Sequence, residues 1–208
     1  MENKNLIRLA ESIVLLPFLT VSLPLGALQH PGNTIFPQTV LSQKENIRAS
    51  DSLAFNREAD AAAQILEAKA AAIDAYFKRR NMPLLGTGIK MVQEAEKNNL
   101  DWRLLAAIAV RESTGGKYAC QQAENNPFGW GSCKISFGSI NEAIETVAKN
   151  LGGNNPNTAK HYSGKNTKEI LQKYNPPHIV RRYAEQVMSI MENIGPENLS
   201  EVIVLAKV

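Results

Sequence analysis

The chain has 208 residues, of which 44% are hydrophobic and 21% charged; that is enough for one domain with a sizeable core and an additional segment. A formal net charge of +3 is too mild to argue for a nucleic-acid partner, and it suits an enzyme working near an anionic polymer. His30, His161, His178 and two cysteines are too few and too scattered for a zinc spacing, so no metal and no cofactor is expected.

Residues 12–29 carry no charged side chain, and Lys4 and Arg8 precede them. Residues 1–29 therefore read as a signal peptide or an uncleaved signal anchor, which implies export. The alternative is a buried core helix, and Pro17 and Pro24 interrupt the run. Residues 30–54 are polar, contain Pro31, Gly32 and Pro37, and read as a linker. Residues 55–80 are rich in Ala, Glu, Lys and Leu, with Ile65, Leu66, Ala70, Ile73 and Phe77 near a helical spacing. This predicts one long helix, ended by Asn81-Met82-Pro83.

Beyond Pro83 the pattern is helical throughout, so the fold class is mainly α. Helices are expected over 84–97 and 101–113, with Asp101 placed where a negative charge suits the helix dipole. Residues 114–138 hold Gly115, Gly116, Gly129, Gly131, Gly138 and Pro127 with no period. A loop this long is uncommon in a compact domain unless it is functional, and it has room for a short hairpin. Cys120 and Cys133 lie inside it and in an oxidising compartment are expected to pair. Ser139 and Glu142 form a capping-box pattern for a helix to Leu151. Thr167 is expected to cap a short helix, Asn175-Pro176-Pro177 to turn the chain, and a last helix to run over 179–194 before Gly195 and Pro196. Residues 196–208 read as a tail.

The sharpest feature is on the helix over 101–113. Leu104, Leu105 and Ile108 mark its apolar stripe, and Glu112 continues that stripe. Partial burial and the helix C-terminus both disfavour a negative charge there, so both raise the carboxyl pKa. A carboxylic acid that keeps its proton is what protonation of a glycosidic leaving oxygen requires. The bland alternative is a solvated Glu112 paired with Arg111 or Lys117. The loop that follows, Asn125-Asn126-Pro127-Phe128-Gly129-Trp130-Gly131, combines aromatics, an amide and glycines, a composition suited to a sugar. Phe128 and Trp130 would equally serve a core.

The stretch from Asn99 to Lys117, NLDWRLLAAIAVRESTGGK, together with Asn126-Pro127-Phe128-Gly129, resembles the signature of the bacterial glucosaminidase domain, the mannosyl-glycoprotein endo-β-N-acetylglucosaminidase-like family. The resemblance spans residues 73–195 and implies a lysozyme-like α-helical domain that cleaves β-1,4 bonds of peptidoglycan. It implies Glu112 as the catalytic acid, with Ser113, Asn126, Phe128, Trp130 and Tyr174 as candidate substrate-binding residues. Tyr174-Asn175 is similar to a segment of lytic transglycosylases. Peptidoglycan glycan strands are the implied partner, with the membrane a second one if the N-terminal segment is retained. No second acid is placed opposite Glu112; Glu124 is the nearest candidate by position. A transglycosylase on the same substrate, a non-catalytic wall-binding module and, more remotely, a peptidoglycan amidase are the competing readings.

Overall fold

A computed structural model describes the backbone of residues 39–199 and 201, with side chains from residue 57 onward. The expected export segment and the first part of the expected linker lie outside the described residues. The chain divides into two compact units, Met1–Lys44 and Glu45–Val208. Of the first, only helical backbone at residues 39–44 is described; the packed core belongs to the second.

Among the described residues there are seven helices and no strand: α1 Thr39–Arg79, α2 Gly88–Lys97, α3 Leu104–Ser113, α4 Ile140–Leu151, α5 Ala159–Tyr162, α6 Thr167–Tyr174 and α7 Tyr183–Ile194. None is long and apolar enough to cross a membrane. α1 begins at Thr39, so residues 39–54 are helical where a linker was expected. That stretch contains neither Pro nor Gly, and polar residues without these two breakers are compatible with a helix.

The core is organised around α3. Leu104 through Ile108 have no exposed surface, and the alanines at 106, 107 and 109 let neighbouring helices approach closely. α3 packs most extensively on α7, and α2 on α4. From α1, Ile73 and Phe77 are fully buried in the same core. Asp74 of α1 accepts the Gly86 and Gly88 N–H groups at 2.9 and 3.2 Å, satisfying donors at the start of α2 that have no intrahelical partner. A Cβ on Gly88 would lie 2.4 Å from the Ala70 carbonyl oxygen, so α1 and α2 cross at a point only glycine permits.

Several boundaries differ from the sequence expectation for identifiable reasons. α2 starts at Gly88 rather than Leu84 because residues 82–87 form turns closed by the Leu85 and Thr87 N–H groups. Asp101 precedes α3 and binds Arg103 through backbone and guanidinium at 2.6–2.9 Å. Arg103 in turn donates to the Gly195 carbonyl at 2.9 Å, tying the start of α3 to the end of α7. Ser139 caps α4 as expected, accepting the Glu142 N–H at 3.1 Å, but the Glu142 carboxylate takes the Gly138 N–H instead of closing the box. The complete capping box belongs to Asn166 and Glu169, one residue before the expected Thr167. α7 begins at Tyr183 rather than Ile179, because Arg182 has φ 63° and no right-handed helix continues through it.

Candidate active site

Glu112 occupies the last turn of α3. Thr114, with φ 54°, ends the helix in the left-handed region, and the chain turns into the long loop. Ser113 holds this junction: its Oγ lies 2.7 Å from the Pro127 oxygen and accepts the Gly116 N–H at 2.9 Å. The loop thus folds back against the end of the helix that carries the acid.

The loop is built from inside. Asn126 is fully buried. Its amide donates to the Trp130 and Ile135 carbonyls, and its oxygen accepts the Trp130 N–H, all at 2.9 Å. Phe128 is also fully buried and belongs to the core. Cys120 and Cys133 form a disulfide with Cα atoms 5.5 Å apart, so the segment carrying Asn126, Phe128 and Trp130 lies within a covalently closed loop. A cross-link over this span contributes about 3 kcal/mol in the chain-entropy account.

These contacts correct the sequence reading. Ser113, Asn126 and Phe128, expected to bind substrate, sit behind the wall of the site. The residue types that suit a sugar also suit an irregular loop, whose buried backbone groups must find partners.

In front of that wall lies a cleft of about 590 Å³ lined by Glu112, Gly129, Trp130, Tyr162, Tyr174, Asn175, Pro176 and Ile179, with residues 131–133 at its edge. Of the sequence candidates, the structure brings Glu112, Trp130 and Tyr174 together here. The Tyr174 ring lies 5.8 Å from Trp130 and stacks on Tyr183 with centroids 6.0 Å apart. The Tyr174 hydroxyl donates to the Phe128 carbonyl, fixing the ring against the loop. Glu124 is exposed and does not line the cleft.

The Glu112 carboxyl is held on both sides. Tyr183, only 2% exposed, donates its hydroxyl to Oε1 at 2.5 Å. A Cβ on Gly129 would lie 3.2 Å from Oε2, so Oε2 faces a wall that glycine leaves open. Gly129 also has φ 63°, a conformation costly for other residues. Burial pushes the Glu112 pKa up, and this outweighs the Tyr183 hydrogen bond and the charge of Arg111, which pull it down. Burial and the neighbouring Glu112 charge push Tyr174 and Tyr183 far above the usual tyrosine range, so both hydroxyls remain donors.

Sequence reasoning missed Tyr183, Tyr162, Pro176 and Ile179, and it placed Gly129 in the loop without its approach to Glu112. Tyr183 is 71 positions from Glu112, and no local pattern links them; only the packing of α7 on α3 does.

The sequence model of the family described as mannosyl-glycoprotein endo-β-N-acetylglucosaminidase matches residues 89–195, about half of the chain. The chain belongs to the glucosaminidase family. No curated protein and no solved structure matches it. The glucosaminidase match begins in α2 and ends at Gly195, so it contains every residue that lines the cleft, together with Tyr183. Membership supports a glycosidase acting on a glycan, carried by an all-α domain of the lysozyme-like kind. α1 lies outside the matched glucosaminidase region, yet it supplies Ile73 and Phe77 to the core.

Proposed function

We propose that the chain is a peptidoglycan glycosidase in which Glu112 is the general acid for cleavage of β-1,4 glycosidic bonds. The observation that carries this reading is the state of the Glu112 carboxyl. Burial favours its protonated form, Tyr183 fixes Oε1, and Oε2 faces the glycine wall of an aromatic-lined cleft. Trp130 and Tyr174 offer ring faces to the C–H groups of a sugar. As the C1–O bond breaks, the Oε2 proton passes to the departing oxygen. The carboxylate left behind is then stabilised by the Tyr183 hydroxyl and by Arg111, the two influences that favour its ionised form.

Among the described residues lining the cleft, Glu112 is the one carboxylate. A pair of acids either side of the bond is the common arrangement for glycoside hydrolysis, and substrate-assisted catalysis is the recognised exception. Two outcomes remain compatible with a lone acid. In one, the 2-acetamido oxygen of the substrate attacks C1, and water then opens the resulting ring while returning a proton to Glu112. In the other, the sugar's own 6-hydroxyl closes on C1 while its proton returns to the Glu112 carboxylate, giving an anhydro sugar, as in a lytic transglycosylase. The lone carboxylate specifically favours keeping this second reading.

Mass analysis of fragments from purified peptidoglycan tests the proposal. Reducing ends indicate hydrolysis and anhydro ends indicate transglycosylation. Binding without fragments would instead support a non-catalytic module. Exported, membrane-anchored or secreted placement of the enzyme at the cell wall is part of the same proposal, motivated by the N-terminal apolar segment.

A further inference from the structure

A second depression, of about 530 Å³, is lined by Arg111, Arg182, Glu185, Gln186, Ser189 and Ile190. Its two arginines immediately precede, in sequence, the two residues of the Glu112–Tyr183 pair. Arg111 reaches over the Tyr183 ring, with Cζ 5.7 Å from the centroid. Its Nε donates to Gln186 Oε1 at 2.8 Å, which fixes the guanidinium plane while using one of its five donors. Among the described residues neither Arg111 nor Arg182 has a carboxylate within 4.0 Å, whereas Glu185 in the same depression is directed to Lys168 at 3.8 Å. Arg182 is exposed and held at φ 63°. A non-glycine residue kept there is strained, and such outliers concentrate at binding and catalytic sites.

We propose that the Arg111–Arg182 depression is a subsite for a carboxylate carried by the glycan bound in the Glu112 cleft. The proposal rests on the peptidoglycan reading above and adds a determinant to it: acidic glycans are preferred over neutral ones. Two planar guanidiniums with open terminal donors suit bidentate recognition of a carboxylate. Such a group has two sources in peptidoglycan, the lactyl acid of a peptide-free N-acetylmuramic acid and the carboxylates of a stem peptide. Neutral chitin fragments carry neither. Seating an anion on Arg111 also offsets the positive charge that pulls the Glu112 pKa down, so an acidic substrate favours the protonated acid.

The test is calorimetric binding to the full chain carrying Glu112→Gln, with three probes: chitotetraose, a peptide-free peptidoglycan tetrasaccharide, and its peptide-bearing counterpart. Arg182→Asn removes the charge at a position where asparagine tolerates a positive φ, and Arg111→Gln provides a second, independent removal. Each is expected to weaken binding of at least one acidic probe about tenfold, and Arg182→Asn to leave chitotetraose unchanged. Which acidic probe responds identifies the lactyl or the peptide source. Equal affinity with and without the arginines, or an equal loss for all three probes, would overturn the subsite. Absence of turnover by the unsubstituted chain on every glycan would instead refute the glycosidase reading, a separate result from the binding comparison that decides the subsite.

Discussion

The Tyr183 hydroxyl donates to Glu112 Oε1 at 2.5 Å, joining the last turn of α3 to the first turn of α7. One carboxyl oxygen is therefore committed to a protein partner, and the other is left for a substrate. A buried acid alone would rotate among several positions; this one is oriented. The same contact opposes the effect of burial on the Glu112 pKa, so the pair sets both the direction and the strength of the acid.

Tyr183→Phe separates these two roles. It removes the donor, so the Glu112 pKa rises further and the alkaline limb of the pH–rate profile moves to higher pH. It also leaves Oε1 without a partner, at a cost of about 1–3 kcal/mol, and lets the carboxyl swing. A fall in kcat of about tenfold or more is expected, with KM little changed. Measuring kcat and KM across pH checks this; an unshifted limb would show that the hydrogen bond does not govern the acid.

The raised Glu112 pKa has a consequence for stability, with a definite sign. Above the unfolded carboxyl pKa the folded state holds a proton that the unfolded state has released. Folding stability therefore falls as pH rises from that value through the raised folded pKa of Glu112. Glu112→Gln abolishes this loss. The variant is expected to have a higher Tm than the unsubstituted chain at pH 7 and little difference below pH 4. Thermal melts at both pH values decide it.

Gly129→Ala tests the wall. The added methyl would lie 3.2 Å from Oε2, at a residue with φ 63°. Backbone strain of about 1–2 kcal/mol and crowding of the Glu112 carboxyl oxygen act together. Activity is expected to fall much more than Tm does. A comparable substitution at Gly86, where a Cβ meets nothing within 4 Å despite φ 94°, carries the strain alone and serves as the comparison.

Joint replacement of Cys120 and Cys133 by serine opens the covalent loop around Asn126 and Trp130. A loss of about 3 kcal/mol is expected from the chain-entropy account. Cys133 borders the cleft, so KM for the glycan is expected to rise even at temperatures where the fold persists. Denaturant melts and steady-state kinetics on the serine variant check the two effects separately.

How much of the fold and the site was legible in the sequence depends on the range of each interaction. The helical class and the position of Glu112 on the inner face of its helix were readable because the stripe Leu104, Leu105, Ile108, Glu112 is a local periodicity, and local periodicity is what sequence displays. The disulfide was readable from two cysteines and an inferred compartment. Helix ends were less so: α7 starts after Arg182 because of one left-handed residue, and arginine gives no sign of it. Ser113, Asn126 and Phe128 were expected in the cleft because their chemistry fits a sugar, yet their hydrogen bonds and burial serve the loop. Tyr183 was invisible for the opposite reason. Its importance lies entirely in where the fold places it relative to Glu112.

The central claim is that the Glu112 carboxyl supplies the proton for glycosidic cleavage. The most direct test digests purified peptidoglycan with the unsubstituted chain and with Glu112→Gln, and quantifies released glycan fragments by mass spectrometry. Glycan fragments are expected from the first, and a loss of about 10²–10⁴-fold in their rate of release from the second, with Glu112→Gln still folded and still binding glycan. Release of the same fragments at the same rate by both would contradict the assignment of Glu112 as the acid.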